Sequence, residues 1–96
     1  MTRERDVETQ LVRSVRAAHG LCFKFTSPAN RGVPDRIVFL PGGLVLLVEC
    51  KRPGGRLTRL QRHVHAQLRA LGQRVEVVDS TEMARAAPKL WLQGPV

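Results

Sequence analysis

Leu44 to Val48 is an unbroken apolar run, set between Pro41-Gly42-Gly43 and Arg52-Pro53-Gly54-Gly55, and it runs directly into Glu49-Cys50-Lys51. A run this short, bounded by turn signals and built from Leu and Val, suits a strand covered on both faces better than a helix. Such a strand belongs inside a sheet with helices layered against it. The charged end is the odd part. Burying a carboxylate and an ammonium is costly unless each finds a partner or a ligand.

The rest of the chain supplies the layers. A first helix is predicted from about Arg3 to His19, closed by Gly20 as a C-cap. At about 100° per residue, Val7, Leu11, Val12, Val15 and Ala18 share one arc. Glu8 falls inside that arc, and Glu4 projects there from the first turn, where an acid favours the helix dipole. Leu21–Thr26, Asp35–Leu40 and Leu44–Lys51 read as three strands, with Ser27 to Pro34 as a loop between the first two. Thr58 can N-cap a second helix running to about Leu71 and ended by Gly72. Leu57, Leu60, Val64, Leu68 and Leu71 form its expected core stripe, with Gln61 at the edge. Arg74–Val78 is a fourth strand. Ser80 then opens a short helix that Pro88 should end, leaving residues 89–96 as a loose tail apart from Trp91. The order αβββαβα predicts one domain over residues 1–96, with a core of about 4–86, in the α/β class with a mixed α+β sheet.

Register decides what the charged end means. If Pro41-Gly42-Gly43 is a three-residue turn, Leu40 faces Leu44, Ile37 faces Leu47, and Asp35 faces Glu49. Opposed residues share a face with Cβ atoms about 5 Å apart, and Lys51 follows Glu49 on that face. A two-residue turn would instead oppose Asp35 to Cys50 and scatter the group. Two carboxylates about 5 Å apart repel by roughly 3 kcal/mol at an effective dielectric of 20. A hard divalent cation relieves that repulsion, and Glu8 from the first helix can add a third carboxylate. A structural Glu49–Lys51 ion pair, with Asp35 as a loop cap, is the competing reading.

Charge points to the partner. Lys and Arg number 16 against 8 Asp and Glu, and Arg, whose planar fork suits phosphate, dominates the cations. Cys22 and Cys50 are too few for a disulfide framework and are expected to be reduced and inert, as in an intracellular protein. Residues Met1 to Val7 have no apolar signal core, and no run approaches a membrane span, so a cytoplasmic setting, with no membrane partner and no small-molecule cofactor, is expected. A zinc site from the cysteines with His63 and His65 is disfavoured, since His63-x-His65 points in two directions on a helix; both histidines are read as surface residues or phosphate contacts.

Gly32-Val33-Pro34-Asp35, the Pro-Gly-Gly turn, Glu49-x-Lys51 followed by Gly54-Gly55, and Gln61 resemble the VRR-NUC (virus-type replication–repair nuclease) branch of the PD-(D/E)XK nucleases. The resemblance covers about Glu4 to Ala86. It implies a restriction-endonuclease-like αβββαβ core with a short C-terminal helix, and Mg²⁺- or Mn²⁺-dependent hydrolysis of DNA phosphodiesters. Asp35 and Glu49 match the metal carboxylates, Cys50 the residue whose backbone carbonyl reaches the metal, and Lys51 the lysine at the scissile phosphate. Glu8 matches the helix acid, with Glu4 one turn away as its rival, and Gln61 matches a glutamine beside the site.

The expected DNA footprint is Lys24, Ser27, Asn30 and Arg31 before the catalytic strand, with Arg52, Arg56, Arg59 and Arg62 after it. With no Tyr and one Trp there is no broad stacking platform, so duplex or branched DNA such as a flap or Holliday junction is expected, in replication, recombination or repair. Cutting two strands takes two sites, which favours a homodimer. A non-catalytic basic binding module, and an RNA-directed or toxin-like nuclease using the same site, are the alternatives.

Overall fold

The computed structural model describes residues 1–94, and its elements follow the predicted order: α1 (Glu4–Ala17), β1 (Leu21–Lys24), β2 (Arg36–Leu40), β3 (Leu44–Cys50), α2 (Arg59–Ala70), β4 (Val75–Val78) and α3 (Thr81–Leu92). The four strands form one sheet in the order β1-β2-β3-β4, antiparallel except for the parallel β3–β4 pair. The fold is a mixed α+β sheet with three helices.

Pro41-Gly42-Gly43 is the three-residue turn that the register required. Leu40 pairs with Leu44 and Ile37 with Leu47, and both glycines take the positive φ that side chains avoid, 86° and 80°. Alternation then divides β3. Leu46, Val48 and Cys50 are buried with Val38 and Leu40 of β2 against Val7, Leu11 and Val15 of α1 and Ala84, Ala87 and Trp91 of α3. Val45, Leu47 and Glu49 point to the other face, and α2 covers only part of it.

Several boundaries differ from the sequence reading. Pro88 does not end α3; it lies buried inside it, beside Ala84, Ala87 and Trp91 at helical spacing, and the helix continues to Leu92. Proline costs an interior helix about 3 kcal/mol, but burial of this stripe against α1 outweighs that cost. The expected tail therefore shrinks to its last residues, of which 95 and 96 lie outside the described range. At the end of α1 the left-handed residue is His19 (φ 66°), not Gly20. His19 and Gly20 donate to the Arg16 and Val15 carbonyls, a Schellman arrangement. Gly20 is needed for a different reason: a Cβ there would lie 2.4 Å from the Phe39 carbonyl oxygen. The expected core stripe of α2 is also revised. Leu60 and Leu71 are 44% and 77% exposed, and His65 is the buried residue of that helix. The reason is that α2 packs on the partly covered face, where the sheet does not extend under all of its apolar side.

Candidate active site

The site forms where β2 and β3 part. Leu47 and Lys51 donate their N–H groups to the Arg74 and Val78 carbonyls, so odd residues of β3 bond toward β4 and even ones toward β2. A regular ladder would next match Cys50 with residue 34. That residue is Pro34, which has no N–H to give. The ladder stops, and the Asp35 carboxylate takes over: its Oδ1 accepts the Cys50 N–H at 3.2 Å. The Cys50 carbonyl, on the same edge, has no ladder donor from Pro34. The Cys50 N–H thus anchors Asp35 near Glu49, and the missing proline N–H leaves a backbone oxygen for another partner.

The electrostatics match this crowding. Burial pushes the Asp35 carboxyl up to about 6; the Cys50 N–H pulls it back, and Glu8 and Glu4 raise it further. Glu49 is 4% exposed, and burial followed by repulsion from Asp35 pushes it up to about 8, against the lowering influence of Lys51. Among the described residues, Glu49 and Lys51 make no salt bridge within 4 Å, so the competing ion-pair reading has no contact to support it. The nearest cationic or ring nitrogen to Glu49 is instead His65 Nε2, 3.4 Å from Oε1.

His65 corrects the sequence reading most sharply. It is 0% exposed, neither a surface residue nor placed for a phosphate contact, while His63 is exposed as expected. Its position was legible in principle: it stands one turn after Gln61, on the face that Gln61 begins. Gln61 itself is committed at one end. Its Oε1 accepts the Thr58 N–H at 2.9 Å while Thr58 Oγ1 accepts the Gln61 N–H, a reciprocal cap that leaves the Gln61 amide –NH₂ outside the cap.

Glu8 reaches this end of the sheet from the other face. Arg36, which alternates away from Asp35 toward α1, holds it: Arg36 Nη2 lies 3.2 Å from Glu8 Oε1. Arg36 was not anticipated; its place immediately after Asp35 on a strand dictates the opposite face. Glu4 is exposed, and both helix acids act on the two carboxylates, Glu8 more on Asp35 and Glu4 more on Glu49. Among the described residues, no three His, Cys, Asp or Glu side chains form a ready metal cage. The donor set suited to a hard cation is therefore Asp35, Glu49 and the Cys50 carbonyl. Raised carboxylate pKa values and the unpaired, buried Glu49 Oε1 are what a site short of positive charge would show.

The basic residues flank this end. Lys24, Asn30, Arg31, Arg52, Arg56, Arg59 and Arg62 are exposed, and Ser27 is half-buried. Asn30 Nδ2 donates to Ser27 Oγ at 3.0 Å, and Arg62 Nη1 donates to the Leu57 carbonyl at 2.9 Å, so those two footprint residues are partly engaged within the chain. The two arms of the footprint touch at Gly32 (φ 86°), where a Cβ would lie 2.9 Å from Leu60 of α2. No helix among the described residues is long and apolar enough to cross a membrane.

Comparison with known proteins shows the family. The VRR-NUC domain family model matches residues 2–82. A protein of Acyrthosiphon pisum secondary endosymbiont phage 1, named "Putative nuclease p44", is 47% identical over 88 residues, covering 92% of this chain and 95% of that protein. A solved VRR_NUC domain structure superposes with a TM-score of 0.84 at 27% identity, covering 95% of this chain and 99% of the other. The chain belongs to the VRR-NUC family of nuclease domains.

Proposed function

We propose that the protein is a metal-dependent DNA endonuclease that recognises duplex or branched DNA by shape. The observation that carries the reading is the Asp35 carboxylate bound to the Cys50 N–H, close enough to Glu49 to push that buried carboxyl up. Asp35, Glu49 and the Cys50 carbonyl would hold Mg²⁺ or Mn²⁺, which when bound polarises the phosphoryl group and acidifies water. Lys51 supplies a fixed positive charge beside Glu49, where the reacting phosphate gains negative charge. The Gln61 amide –NH₂, whose Oε1 is taken by its cap to Thr58, would orient a phosphate oxygen or the attacking water. Glu8, held by Arg36, adds negative charge at the rim and is the helix acid of this reading in preference to exposed Glu4.

The cations on both loops favour an anionic polymer, and contacts to phosphate give affinity without base readout. A flap or four-way junction in replication, recombination or repair is the substrate class this surface suits, and a cytoplasmic setting follows from such a substrate. A homodimer supplies the second cut. Its support is the open part of the sheet face, where Leu21, Phe23, Phe39 and Val45 are 54%, 51%, 38% and 45% exposed, and Phe23 and Phe39 stack edge-to-face at 6.2 Å. Contiguous exposed side chains of this size mark an association surface more often than a solvated one.

The test is incubation with linear duplex, single-strand, flap and four-way junction DNA, and with RNA, in Mg²⁺, Mn²⁺ or EDTA. Cleavage of branched DNA that EDTA and Asp35→Ala both abolish supports the reading. Cleavage that persists in purified Asp35→Ala refutes it, and a preference for RNA favours the RNA-directed alternative.

A further inference from the structure

We propose that His65 is a positioning residue for Glu49: its Nε2–H is the donor that holds Glu49 Oε1, so that the other carboxylate oxygen is presented to the cation. The inference rests on Glu49 being a metal ligand. It deepens that reading by naming the group that orients the ligand.

Two orphaned atoms carry it. His65 is completely buried, and among the described residues neither of its ring nitrogens has a hydrogen-bond partner. Glu49 Oε1 is buried and unpartnered too, and it lies 3.4 Å from His65 Nε2. Buried polar atoms are almost always satisfied, and two complementary ones left open against each other mark a bond that closes in another state. An approach of about half an ångström brings the pair to ordinary charge-assisted distance. Cation binding provides the occasion, because a carboxylate drawn to a cation through one oxygen leaves the other for a donor at its back.

A purely structural role explains the residue poorly. The position lies between Val64 and Leu68 on the inner side of α2, where leucine would fill the space without a desolvation penalty. Of the two ring nitrogens, Nε2 is the one that faces Glu49 Oε1, and the geometry assigns the donating proton to it. The helix is also fixed in register, since the reciprocal cap of Thr58 and Gln61 sets its first turn and His65 follows one turn later. Carboxylates that bind metals are commonly held by such a second bond, and removing it weakens metal affinity by about 10- to 100-fold.

The experiment measures Mn²⁺ binding to the whole protein without DNA, by the loss of the free-ion paramagnetic resonance signal. His65→Leu is expected to fold and to bind Mn²⁺ about 10- to 100-fold more weakly, and His65→Gln, which restores a donor, to recover most of the loss. Affinity of His65→Leu within twofold of wild type overturns the proposal. Glu49→Ala separates the two levels: unchanged binding there sinks the metal reading itself, whereas loss in Glu49→Ala with none in His65→Leu sinks only the positioning role. Should His65→Leu not fold, the ¹⁵N spectrum of the wild-type imidazole decides. A neutral Nε2–H tautomer whose proton moves downfield on Mg²⁺ addition supports the proposal, and an Nδ1–H tautomer refutes it.

Discussion

Replacing Glu49 by Gln should stabilise the protein while destroying its activity. Glu49 titrates at about 8 in the fold against an ordinary value of 4.5. Below about pH 4.5 the carboxyl carries its proton in both folded and unfolded states, and the two proteins should be equally stable. Above it the unfolded chain ionises while the fold keeps the proton, so stability falls as pH rises, by about 1.4 kcal/mol per unit, until about pH 8. At pH 7 the full shift corresponds to about 3 kcal/mol, which local relaxation and water entry would reduce to about 2 kcal/mol. The Gln variant has no such proton to hold. In a domain of this size that difference amounts to about 10 °C in melting temperature. Asp35 shifts in the same direction but is common to both proteins, so it cancels in the comparison. Thermal melts at pH 4.5, 6, 7 and 8 in EDTA should show the two curves diverging with pH. Excess Mg²⁺ should close the gap by stabilising the wild type alone, because only the carboxylate gains a counter-charge. Melting curves that run parallel across this range, or a wild type more stable than the variant at pH 7, would refute the account of a buried, charge-starved carboxylate.

Three further outcomes follow from the same geometry. Arg56→Ala with Arg59→Ala should weaken DNA binding and reduce the slope of log affinity against log salt by about 2, measured by anisotropy titration, since each lost phosphate contact removes about one counterion. Phe23→Asp with Phe39→Lys, on the open sheet face, should shift the protein to a monomer in light scattering without lowering its melting temperature when dilute, and a dimer that survives both changes places the interface elsewhere. Gly20→Ala should cost about 2–4 kcal/mol in chemical denaturation, because the added methyl meets the Phe39 carbonyl and the Val15 and Leu40 side chains together.

The two carboxylates were legible because strand registry is arithmetic. The turn at Pro41-Gly42-Gly43 pairs Leu40 with Leu44, and the ladder runs from there to Arg36 and Val48, the residues next to Asp35 and Glu49. The capping signals of α2 were equally plain, with Thr58 opening the helix and Gly72 following its end as read. The failures share a different cause. Pro88 was judged by helix propensity, His65 by polarity, and the leucines of α2 by periodicity, yet each answer depended on what lay opposite in space. Glu8 illustrates the boundary: its arc toward the sheet was visible, but its bond to Arg36 required knowing which face α1 covers.

Local chemistry alone therefore determined the element order, the hairpin register and the presence of two acids and an amine at one strand end. Turns, alternation and missing N–H groups act over a few residues, and they are written directly in the chain. Only the tertiary structure decided that α1 and α3 share one face while α2 takes part of the other, leaving Phe23 and Phe39 open and His65 sealed against Glu49. Those outcomes turn on which surfaces exclude water together, a property of packed layers that no single segment carries.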